Sequence, residues 1–124
     1  VQTCALPIST DGSQTEIFSD GSSATNRNTL LNDSSWMFKI LVVARRTNGD
    51  GENDAWEFTG LIHRDANAAS TTIDALQENK IGSTSWSVSV DADTTNGSLR
   101  IRATGEAGKT IRWCATIQTT EVSE

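Results

Sequence analysis

Between Ser35 and Arg46 every second residue is apolar (Trp36, Phe38, Ile40, Val42, Ala44), and the positions between them are Met37, Lys39, Leu41, Val43 and Arg45. A period of two puts the first set on one face of a β-strand and the second set on the other. The first face is core. The second mixes Met37, Leu41 and Val43 with basic residues and is more apolar than a free sheet face, so it is expected to be covered, by another part of the fold or by a neighbouring subunit. The same period returns downstream. Trp56, Phe58, Gly60 and Ile62 alternate with Glu57, Thr59, Leu61 and His63, and Trp86, Val88, Val90 and Ala92 alternate with Ser85, Ser87, Ser89 and Asp91, whose face must be wet. Leu99, Ile101 and Ala103, then Ile111, Trp113, Ala115 and Ile117, complete the predicted core.

Turn chemistry separates these runs. Asn48–Asn53 reads as a Gly-rich hairpin loop, and Asn96-Gly97 tolerates positive φ, so Trp86–Ala92 and Leu99–Thr104 are paired as a hairpin. Gly105–Lys109 turns into the last strand, and Asp65–Ser70 reads as a loop. Weaker signals are Ile17-Phe18 and Leu30-Leu31, two short strands in a polar stretch, and Thr71 to about Gln77, where Ile73 and Leu76 break the alternation and a short helical turn is the alternative. About eight short strands without a convincing helix predict an all-β fold, an antiparallel β-sandwich of jelly-roll type.

Composition agrees: 17 Thr, 14 Ser and 8 Asn favour strands and turns over helices, and 124 residues suffice for one domain with one core. A net charge of −6 opposes a phosphate backbone or an anionic lipid surface, so no nucleic-acid partner is expected. The longest apolar run, Ile40–Ala44, is far short of the roughly twenty residues that cross a bilayer, no leader opens the chain, and no membrane insertion is expected. The opening octapeptide, residues 1–8, carries the one Pro and one of the two Cys without an initiator Met. It reads as a translated short-read sequencing adapter, which makes the chain a fragment from metagenomic shotgun DNA and residues 9–124 the native domain. The alternative is a native strand with a Pro-marked edge. On the adapter reading Cys4 is accidental, no Cys4–Cys114 disulfide is inferred, and Cys114 is a lone, small, half-buried strand residue.

Candidate chemistry is sparse. His63 has no second His at ligand spacing and is followed by Arg64, which would repel a cation, so it reads as a solvated strand-end residue. No Gly-x-Ser-x-Gly elbow places a nucleophilic serine, no Gly-rich phosphate cradle is present, and no cofactor or catalytic residue is expected. Asp50, Glu52 and Asp54 in one loop, or Asp91 and Asp93 on one strand face, are weak calcium candidates, but neither has the spacing of a calcium loop and solvated charge is the simpler reading. Four tryptophans without a tyrosine suit a sugar-binding sandwich, yet Trp36, Trp56, Trp86 and Trp113 all keep phase with their strands' apolar residues, which makes them core.

Four segments, Trp36–Thr47, Trp56–Arg64, Ala92–Leu99 and Thr104–Trp113, together resemble a β-rich C-terminal module of tail fibre and tailspike proteins of tailed bacteriophages, over about Gly12 to Val122. The chain departs from that pattern at Cys114, where an aliphatic residue is usual, and at His63, where an acidic one is common. The resemblance implies a non-enzymatic virion module, ending a tail fibre or spike subunit, that associates as a homotrimer or contacts a host-surface glycan or protein. Face parity adds Met37, Leu41 and Val43 as interface candidates. The loops supply receptor-contact candidates, Asn48, Asp50, Glu52 and Asn53 in one and Asp65 and Asn67 in the other, on the argument that loops at one end of a sandwich carry recognition. A carbohydrate-binding module of a secreted bacterial protein, and more remotely a small hydrolase using His63, are the competing readings.

Overall fold

The computed structural model describes residues 7–17 and 27–124. Among these described residues nine strands follow in chain order: β1 (Ile8–Ser9), β2 (Gln14–Ile17), β3 (Asn28–Thr29), β4 (Ser34–Arg46), β5 (Asn53–Arg64), β6 (Thr72–Lys80), β7 (Ser87–Asp93), β8 (Ser98–Thr104) and β9 (Ile111–Ser123). One 3-10 turn, Ala68–Ser70, precedes β6. They form two antiparallel sheets, a larger one in the order β1-β9-β4-β5-β6 and a smaller one centred on β8. In the smaller sheet β7 pairs with the whole of β8, and β2 and β3 share its other edge in tandem.

The hydrophobic face of each sheet turns inward, and the core is the set of in-phase residues from both. Trp36, Phe38, Ile40, Val42, Trp56, Phe58, Ile62, Trp86, Val88, Val90, Leu99, Ile101, Ile111 and Trp113 are buried, while Ile117 is only half-buried and packs on the core's margin. Trp113 lies at the centre, 5.6 Å from Trp56 and, across the sandwich, 6.2 Å from Trp86 in an edge-on pair. Its indole N–H donates to the Ser9 hydroxyl at 2.9 Å, and the Trp86 N–H donates to Glu106 at 3.2 Å.

Several expectations are refined. Leu30 is buried but Leu31 is 71% exposed, and the short strand is Asn28–Thr29, before the leucines. Phe18 lies outside the described residues. The weak strand expected from Thr71 to about Gln77 is β6, Thr72–Lys80, and the helical turn sits just before it. The broken alternation of Ile73 and Leu76 has a simple cause: a bulge between Leu61 and Ile62 spends Asp74 as an extra residue, so Ile73 opposes Ile62 and Leu76 opposes Gly60, both on the inner side. Cys114 is not a lone thiol but disulfide-bonded, and Cys4, whose accidental status was expected, lies outside the described residues. Pro7 and Ile8 belong to the folded part: the Pro7 carbonyl accepts from the Trp113 amide at 3.2 Å, and Ile8 pairs with Arg112.

Candidate functional site

The outer face of the larger sheet is built by the residues alternating with the core. Antiparallel pairing sets them in rows across the strands: Cys114, Val43, Ala55 and then Ile81; Thr116, Leu41, Glu57 and Asn79; Gln118, Lys39, Thr59 and Gln77; Thr120, Met37, Leu61 and Ala75. Met37 is 59%, Leu41 47%, Val43 52% and Ile81 65% exposed. These apolar side chains gather in two lobes, around Leu41, Val43 and Ile81 and around Met37 and Leu61, over shallow depressions of about 300 and 350 Å3. Between them runs a polar band whose charges, Lys39 and Glu57, pair at 3.4 Å. Arg45 and Arg112 bound the face at one end, and His63 and Asp74 at the other. Exposed apolar lobes on one sheet face with polar residues around them are the build of a protein contact.

Met37, Leu41 and Val43 therefore share this face but not one lobe: Leu61 joins Met37 and Ile81 joins Leu41 and Val43, which parity of one strand could not show. The two receptor-candidate loops do not come together. The Asn48–Asn53 hairpin and the Asp65–Ser70 loop precede and follow the twelve-residue β5 and so sit at opposite ends of the sheet. A single recognition end built from both is ruled out by that strand's length. Much of their polarity is spent internally. Asn48 accepts from the Thr110 amide and the Arg46 guanidinium and donates to the Gly108 carbonyl, Glu52 pairs with Arg46 and Lys109, and Asn67 caps the 3-10 turn by accepting from the Ser70 amide. Asp50, Asn53 and Asp65 remain exposed, with Asp65 3.6 Å from His63.

The weak calcium candidates are likewise separated. Asp54 turns inward, 3% exposed, accepting from the Ala55 and Gly82 amides and the Thr84 hydroxyl and pairing with Lys80 at 3.0 Å, while Glu52 faces Arg46 and Lys109. Burial alone would raise the Asp54 pKa, but the Thr84, Lys80 and backbone donors outweigh it and hold the carboxyl at about 2. Asp91 is forked by Arg100 and also bound by Arg102, and Asp93 is buried, capping the Thr95 and Asn96 amides. No group of three or more metal-ligating side chains occurs among the described residues.

His63 is less solitary than expected. Its Nδ1 lies 2.7 Å from the Asp74 carboxylate, and the hydrogen bond to Asp74 raises its pKa against the opposing effect of burial. The bulge brings Asp74 there, and local alternation does not reveal a bulge. The Asp54–Lys80–Thr84 cluster was also invisible in the sequence, because its members sit in separate strands and a loop.

No family model matches the chain, and no curated protein matches it. Among solved structures it is similar to the tailspike protein of Acinetobacter phage vB_ApiP_P1, with 16% identity and a TM-score of 0.42 over 99% of this chain and 22% of that one. The chain thus spans about a fifth of that protein's length.

Proposed function

We propose that the chain is a non-enzymatic module of a tailed-phage virion appendage, which associates through the outer face of its larger sheet as a homotrimer and leaves the loop clusters at the sheet ends to host-surface contact. The observation that carries the reading is that face: Met37, Leu41, Val43, Leu61 and Ile81 are between 42% and 65% exposed on the same side of one sheet. Leaving such side chains in water forgoes roughly 1–2 kcal/mol each. The sequence resemblance to the phage module supports the same assignment. A sugar-binding reading needs an aromatic platform, and all four tryptophans are buried.

Light scattering on the chain is the test. The wild type is expected to elute at three times the monomer mass, and Leu41→Glu at the monomer mass with unchanged circular dichroism. A monomeric wild type at high concentration would sink the reading.

A further inference from the structure

Apolar lobes attract without direction, so they do not by themselves say how one copy is set against the next. The polar band between them does. Among the described residues its only charges are Lys39 and Glu57, so the band carries no net charge in a chain of net charge −6, and two copies can bring their bands together without like-charge repulsion across them. We propose that Lys39 and Glu57 set the register of that contact: in the assembly, Lys39 of one copy pairs with Glu57 of the next, and the occupant of the face is a second copy of this chain. The proposal rests on the self-association reading above and adds the groups that make it specific.

Within one chain the pair is 3.4 Å apart, with the lysine side chain 49% and the glutamate 38% exposed. Such a wet pair contributes little, so exchanging partners loses little. Once the lobes close over the band, a charge left opposite an apolar or like-charged group is strongly penalised, and only registers that place the cation by an anion survive. A neutral band with one cation and one anion is complementary to itself and has no preference for a strongly charged partner.

The experiment is a charge exchange on the full chain, read by light scattering and by sedimentation across concentration. Lys39→Glu and Glu57→Lys should each weaken association on the order of a hundredfold, and Lys39→Glu/Glu57→Lys together should restore it. Both positions face outward, and thermal unfolding checks that each variant is folded. If the single variants assemble like wild type while Leu41→Glu does not, the charge pairing is wrong and the self-association reading stands. Mixing the two single variants adds a further test. In a ring of three at least one contact always joins like charges, so the mixture stays weak. Full rescue on mixing would support the exchanged pair but overturn the threefold arrangement, and a wild type that never associates would overturn both.

Discussion

Asp54 is a buried carboxylate that ties the start of β5 to the segment after β6. Besides the adjacent Ala55 amide, its partners sit 26 to 30 residues away in sequence, so losing the charge frees Lys80, Thr84 and the Gly82 amide together. Asp54→Asn is expected to lower unfolding stability by about 3 kcal/mol, measured by chemical denaturation, because it leaves the Lys80 ammonium without its buried anion. The pH dependence follows from the depressed pKa. The unfolded carboxyl titrates near 3.8 and the folded one at about 2, so the contribution is complete above the first value and is lost as pH falls through the second. Acid unfolding of the wild type between those values should show a loss on the order of 2 kcal/mol that is absent in Asp54→Asn. His63 has the opposite sign. Its pKa is raised by Asp74, so its contribution is whole below the ordinary histidine value and fades as pH rises through the folded one. An NMR titration should place His63 above 6.5 and Asp74→Asn should lower it; an unmoved titration would show that the pair does not form in solution.

At the scale of elements, β5 packs closely against both of its neighbours at Gly60. Gly60 interrupts an otherwise bulky inner row, and the space it leaves is taken by the Phe38 ring of β4, directly opposite. A Cβ at that position would come within 2.5 Å of the ring and 2.6 Å of the Ala75 carbonyl on β6. Gly60→Ala is therefore expected to destabilise by about 1–3 kcal/mol through overpacking, with the β5–β6 pairing the first to show faster amide exchange. Equal protection in the variant would show that the ring moves aside freely. The period of two was enough to identify β4, β5, β7 and β9 and their inward faces, because each run carries four or more alternating positions. It failed at β6, where a single bulge residue shifts the phase, and at the Leu30-Leu31 pair, where two adjacent apolar residues carry no phase information.

For the whole molecule, the burial of Trp56, Trp86 and Trp113 as one group in ring contact has an optical consequence. Tryptophan emission is expected to be blue-shifted, protected from a soluble quencher, and unchanged by soluble glycans, whatever the oligomeric state. A glycan-dependent change would restore the sugar-binding reading. The cross-braces at the two sheet ends differ: Lys109 joins Glu52 to Glu106 at one, and Arg64 reaches the Leu30 carbonyl and Asn32 at the other. Each end is a separate candidate for contact with a host surface, and loop exchange at one end should leave the other unaffected.

Side-chain parity along each strand was sufficient to specify the all-β class, the buried indoles and the apolar character of the Met37–Leu41–Val43 stripe, because alternation is a local property that any ten residues display. Which stripes lie side by side, which loops share an end, and which acids meet which bases depended on strand order and register. Those are set by packing between residues far apart in the chain, and so Leu61 and Ile81 joined the outer face, Asp54 found Lys80, and the two candidate loops parted only once the sheet was assembled.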